Sequence, residues 1–283
     1  MSWQILTFAS VLFSSLAIVL QKVLLREKKR DPILSAIIFL FLCGIFLGAY
    51  TIIRGVGPLP ISGRILPNLL TMPLIYAVGQ YCIFRAISQI DVSLFTILFT
   101  TRALWTVIAS TIFLHEYFTL ERIIGMALIL FGITFVMKKD VRMKIEKGWF
   151  YALVAGAAFG FGVVNDAYLL QFYQVSTYLT FSFFATGFVL FIINIQRMRN
   201  IGKTLNEKSI GPFVLLGLLN ALQAITFFEA YHVGHNVGQI SILNQMQTIL
   251  AVVISIIFLR ETRRWGEKLF GALISMIGVI LAK

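Results

Sequence analysis

Residues 91–116, DVSLFTILFTTRALWTVIASTIFLHE, and residues 236–261, NVGQISILNQMQTILAVVISIIFLRE, are two versions of one segment. Laid over each other, they pair Val92 with Val237, Ile97 with Ile242, Leu98 with Leu243, Val107 with Val252 and Ser110 with Ser255. The run Ile112-Phe113-Leu114 falls on Ile257-Phe258-Leu259, and Glu116 falls on Glu261. Aliphatic matches between apolar segments arise readily by chance. A glutamate followed by two glycines seven residues apart, Gly125 and Gly132 in one copy and Gly271 and Gly278 in the other, is harder to obtain that way and marks an internal repeat.

The apolar character of this segment extends over the whole chain. Of 283 residues, 59% are hydrophobic and only 13% charged, with a mean hydropathy of +0.89, so a water-soluble core cannot absorb the apolar surface and lipid must be its solvent. A helix needs about twenty mainly apolar residues to cross roughly 30 Å of hydrocarbon. Ten such stretches can be drawn, at 3–25, 32–53, 67–88, 92–114, 120–137, 149–172, 178–196, 212–233, 237–259 and 266–282. The basic linker 138–147 separates five from five, which divides the chain into repeats at 1–140 and 141–283. An odd number of spans per repeat makes the second enter the membrane from the opposite side. The expected fold is therefore all-α and polytopic, with ten transmembrane helices as two inverted five-helix repeats around a central cavity. The first stretch follows no basic n-region and lacks a small-residue cleavage motif, so it reads as a retained span.

The net charge of +12 would suggest nucleic acid in a soluble domain. Here the cations sit in connectors and read as topology signals and anchors to anionic lipid, with no nucleic-acid partner expected. Eighteen of the 24 Lys and Arg residues lie at or in the connectors after stretches 1, 5, 7 and 9. Arg54, Arg64, Arg122 and Lys283 fall on the other side. The positive-inside rule then places both termini outside. Cys43 and Cys82 lie within apolar stretches and read as packing residues. His232 and His235 lack neighbours at ligand spacing, so no metal is expected. With no GxxxxGK[ST] cradle and no Ser-His-Asp set, neither a cofactor nor an enzymatic activity is expected.

The five-plus-five plan, the Phe113-Leu-His-Glu116 and Phe258-Leu-Arg-Glu261 closures, and the Gly-x6-Gly helices that follow resemble the drug/metabolite transporter superfamily, EamA-like branch. The resemblance covers nearly the whole chain. It implies a basket of helices around a cavity lined mainly by helices 1, 3, 4, 6, 8 and 9, with 5 and 10 toward the rim. It also implies a bacterial or archaeal inner-membrane setting and cytoplasmic termini, against the charge bias. The function it implies is secondary transport of small metabolites, amino acids or related polar and anionic compounds, as export by alternating access with proton coupling or exchange. A small-molecule substrate and membrane lipids are the expected partners; a homodimer is compatible with the plan and a monomer suffices. Helix 2 lacks the arginine often found in its first half and helix 1 reads Phe13-Ser14-Ser15 in place of Trp-Gly, so cavity residues do not carry over from relatives. Rival readings are a flippase for lipid-linked substrates, an intramembrane enzyme, and a non-transporting receptor or scaffold.

Ionisable side chains at the bilayer centre cost at least about 2.5 kcal/mol each and as a rule face a cavity. Arg102, near the middle of helix 4, is the clearest. Its planar guanidinium suits a substrate carboxylate or phosphate; the alternative is a structural ion pair with Asp166 or Glu229. Those two acids are the proton-coupling candidates, unless both reach headgroup water. Polar residues crowd helices 8 and 9, and of these Asn220, Gln223, Asn244 and Gln247 are candidate substrate contacts. Among the aromatic residues, Trp105, one turn beyond Arg102, and Tyr81 are candidates for a wall that stacks on substrate. Gly125, Gly132, Gly271 and Gly278 read as sites of close helix packing. Glu116 and Glu261 read as structural residues favouring the N-terminus of the span that follows each.

Overall fold

The computed structural model describes residues 2–26, 30–114, 120–138, 147–205, 207–234, 240, 243–244, 246–262 and 264–281. Its helices are α1 (Trp3–Leu25), α2 (Pro32–Arg54), α3 (Leu66–Gln89), α4 (Val92–Phe99), α5 (Arg102–Leu114), α6 (Leu120–Lys138), α7 (Lys147–Leu169) and α8 (Val175–Ile193). A 3-10 turn (Ile195–Asn200) leads into a short α9 (Ile201–Thr204), followed by α10 (Glu207–Gly234), α11 (Met246–Phe258) and α12 (Trp265–Leu281). Seven helical stretches are long and apolar enough to cross a membrane, and two shorter apolar helices, Ile123–Val136 and Met246–Leu259, accompany them. Ile5, Phe8 and Leu12 line one exposed face of α1, at 55%, 50% and 46% exposure, a surface that water would not tolerate but acyl chains would solvate.

Local signals set the boundaries. Asp31 caps α2 by accepting from the Ile33 amide at 2.8 Å, Pro32 occupies the first helical position, and Gly55 (φ 90°) ends the helix. The stretch 92–114, expected as one helix, is two. The Thr100 and Thr101 hydroxyls donate to the carbonyls of Ile97 (2.6 Å) and Leu98 (2.8 Å), and their amides reach the same carbonyls. This back-bonding tightens the end of α4 and restarts the helix at Arg102. The connector between α8 and α10, for which the sequence suggests no element, holds the 3-10 turn and α9.

Helix packing repeats with a two-fold pattern. Contact of α3 with α7 is matched by α10 with α1, α5 with α7 by α11 with α1, and α3 with α8 by α10 with α2, while α2 pairs with α8 and α6 with α12. In the last pair, a Cβ on Gly278 would meet the Gly125 carbonyl at 2.7 Å, and one on Gly271 the Gly132 carbonyl at 3.1 Å. Ascending α6 therefore means descending α12. Gly44 against Phe184 and Gly48 against Thr180 make α2 and α8 antiparallel in the same way.

Only glycine lets the α6 and α12 backbones approach this closely. Gly278→Val would drive side-chain atoms onto the Gly125 carbonyl and the Ile129 amide, at an overpacking cost of about 1–3 kcal/mol. The expected result is a lowered melting temperature in detergent, with Gly266→Ala, whose added methyl meets nothing within 4 Å, close to the parent.

Candidate functional site

The break between α4 and α5 opens onto an internal cavity of about 170 Å³. Its lining comes from α1, α3, the α4–α5 break, α7, α10 and α11, with Phe39 of α2 and Val279 of α12 added. The polar groups facing it include Ser14, Gln21, Gln80, Thr100, Asn220 and Gln247, and among the described residues its one lining cation is Arg102. On the aromatic side, Phe95 stacks on Phe99 at 5.3 Å, and Phe159 meets Phe99 edge-on at 5.4 Å.

Two glycines explain how Arg102 comes to lie there. A Cβ on Gly156 would sit 3.2 Å from the Arg102 amide, and one on Gly160 would sit 2.7 Å from the Arg102 carbonyl oxygen. The glycine face of α7 thus receives the backbone of the break. The guanidinium carbon stands 5.0 Å from the Phe99 ring centroid, a cation–π contact. Among the described residues the guanidinium has no ion pair and donates no hydrogen bond. Neither acid proposed as its structural partner is engaged with it. Asp166 accepts from the Tyr76 hydroxyl at 2.5 Å and from the Tyr178 hydroxyl, while Glu229 accepts from Arg54 and from the Tyr50 hydroxyl.

The structure brings Arg102, Asn220 and Gln247 to one cavity. Gln247 accepts from the Ser14 hydroxyl at 2.6 Å, tying α11 to α1 across the chamber. Gln223 lies one turn away, bonded to Ser10 through both its carbonyl oxygen (3.2 Å) and its side-chain amide (3.4 Å). Asn244 is buried beyond the lining, with its Oδ1 lacking a hydrogen-bond partner among the described residues. Trp105 stands off the cavity: its Cβ packs over Gly160, its indole lies beside Phe161 at 5.9 Å, and 36% of it is exposed. Tyr81 also turns away, edge-on to Tyr151 and beneath the Arg85 guanidinium. Gln80, Gln21 and Ser14 line the chamber in addition to the contacts expected from sequence. An amide within an apolar span is a usable signal, and Gln80 and Gln21 both carry it.

Gly125, Gly132, Gly271 and Gly278 form the α6–α12 seam. Glu116 lies outside the described residues. Glu261 is structural, but the helix it serves is not the one that follows it. Its carboxylate accepts from the amides of Val92 (2.9 Å) and Ser93 (3.0 Å) and from the Ser93 hydroxyl (2.7 Å), capping α4 of the other half. The left-handed conformation of Arg260 (φ 55°) is the bend that swings it back.

Membrane-crossing helices packed around a polar chamber with a cation at a helix break have the build of a solute transporter. The family model for the EamA-like transporter family matches residues 1–138 and again residues 146–282, and the chain belongs to that family. It is thus an integral, multi-pass membrane protein with two copies of the family's repeat. A comparison with curated proteins finds no match. A solved structure described only as "Crystal structure of protein" is similar over 99% of this chain and 96% of that one, with a TM-score of 0.68 at 14% identity, a likeness of fold alone.

Proposed function

We propose that this protein is a secondary transporter that moves small metabolites bearing an anionic group, amino acids or related compounds, out of the cell by alternating access. The observation that carries this reading is Arg102: a cation facing a polar chamber, with no carboxylate paired to it among the described residues. A charge within a membrane span is retained only where something compensates it, and a carboxylate or phosphate entering the chamber would do so with two parallel hydrogen bonds. The volume of about 170 Å³ lies below the roughly 300–1,000 Å³ of sites for drug-sized ligands, which favours a small solute.

Ten spans as two inverted repeats are part of the same proposal. The antiparallel runs of α2 against α8 and of α6 against α12 support it, because each pair joins helices in equivalent places of the two sequence repeats. Inverted halves can exchange conformations, opening the chamber first to one side and then to the other. We orient the basic connectors toward the cytoplasm, as their charge favours.

The test is counterflow in sealed proteoliposomes. Vesicles preloaded with one unlabelled amino or organic acid should accumulate the labelled form transiently, and empty vesicles should not. Absence of counterflow across amino acids, organic acids, nucleobases and sugars would overturn the reading.

Proton coupling is assigned to Asp166 ahead of Glu229. Asp166 is held by two neutral hydroxyls, whereas Glu229 already has a cation, Arg54, as partner. Asp166→Asn is therefore expected to abolish uptake driven by a pH gradient by at least about tenfold while counterflow persists. Glu229→Gln should leave the response to the gradient in place.

A further inference from the structure

A second cavity, of about 510 Å³, lies between α2, α8 and α10, and every residue lining it is apolar. Ile37, Ile38, Phe41 and Leu42 form one wall, and Phe188 and Phe191 another. All of these lie in the halves of α2 and α8 nearest the α8–α10 connector. That connector closes the groove as an amphipathic strap: Met198, Ile201 and Leu205, at helical spacing, point into it, while Arg199 and Lys203, four residues apart, are exposed. Arg197 fastens the strap to the start of α2 through Asp31 at 2.8 Å.

The equivalent connector of the first repeat, residues 55–65, is instead tied directly to its neighbours. Its Gly57 amide donates to Thr177 (2.9 Å), its Pro60 carbonyl accepts from Tyr173 (2.7 Å), and Ile65 packs into a cluster with Leu69, Met72 and Tyr178.

We propose that this groove holds an acyl chain of an anionic phospholipid, with the headgroup phosphate bound by Arg199 and Lys203. The groove lies on a helix face whose solvent is lipid, and basic residues at the membrane surface attract anionic headgroups. A second copy of the chain suits it less, because it would bring another strap of the same charge in a protein of net charge +12. The assignment does not depend on the transport reading, and its test measures no transport.

The experiment is native mass spectrometry of the purified full chain with dioleoylphosphatidylglycerol or dioleoylphosphatidylcholine. Two cations imply roughly 30-fold tighter retention of the phosphatidylglycerol. The double variant Arg199→Gln/Lys203→Gln should erase that preference while the protein stays folded by circular dichroism. Ile201→Trp, which fills the groove, should weaken both lipids. Equal retention of the two lipids by the parent, a preference that survives the double variant, or a lipid-free dimer as the main species would each overturn the proposal.

Discussion

Arg102→Gln is expected to weaken binding of carboxylate-bearing solutes on the order of 100-fold without lowering the melting temperature. The affinity loss follows from removing one partner of a desolvated charge pair, which costs about 2–5 kcal/mol in comparable complexes. The stability expectation separates this role from a structural one. If Arg102 were part of a buried ion pair, truncation would strand a carboxylate and the fold would loosen by several kcal/mol. In the structure Asp166 and Glu229 have other partners, so neutralising Arg102 removes a half-buried cation and strands nothing. The parent and variant should therefore melt at similar temperatures, or the variant higher, with the difference appearing only when an amino or organic acid is added. Arg102→Lys keeps the charge but loses the planar fork, and should recover only part of the affinity. Thermal-shift titrations of the three proteins read both quantities together. A variant that melts well below the parent without ligand, or that anionic ligands stabilise equally, would remove Arg102 from the site.

The periodic, apolar character of the spans made most of the fold legible in the sequence. Stretches such as 3–25 and 120–137 differ from the observed helices by a residue at most, because lipid leaves a backbone little choice but a helix. The repeat was legible because the Gly-x6-Gly spacing recurs in both copies, and at Gly132, Gly271 and Gly278 a Cβ would run into the facing helix. What could not be read were features created by distant partners. The break after Phe99 looks like continuous helix in single-letter code, since Thr100 and Thr101 are tolerated in apolar spans, and only their back-bonding shows it. Arg102 was visible because a charge in a span stands out, yet which aromatic rings would surround it depended on packing. Trp105, one turn on, was drawn to Gly160 and Phe161 on α7 and away from the chamber. The tyrosine pair on Asp166 joins α3, α7 and α8, a contact that no local spacing encodes.

Glu261→Ala is expected to lower stability by about 3 kcal/mol and to carry the cavity with it. The carboxylate holds two backbone amides and one hydroxyl at the start of α4, where Val92 and Ser93 are fully buried. Alanine would leave those amides in a place water does not reach, at about 1–3 kcal/mol for each unsatisfied group. The loss of negative charge beside the positive end of the helix dipole adds to it. An eight-residue helix cannot stand on its own propensity, so α4 relies on this cap from the other half of the molecule. Phe95, Thr96 and Phe99 are both α4 residues and cavity wall, and fraying should lower ligand affinity as well as the melting temperature. Glu261→Gln, which keeps one acceptor oxygen, should fall between alanine and parent on both measures. Arg260→Gly provides the opposite arm. Its left-handed backbone costs a non-glycine residue roughly 1 kcal/mol, and relieving it should leave the turn, the cap and ligand binding in place. A Glu261→Ala protein with parental melting temperature and affinity would show that the two repeats are held at this face by other contacts, Lys268 with Asp91 (2.7 Å) being the first to replace next.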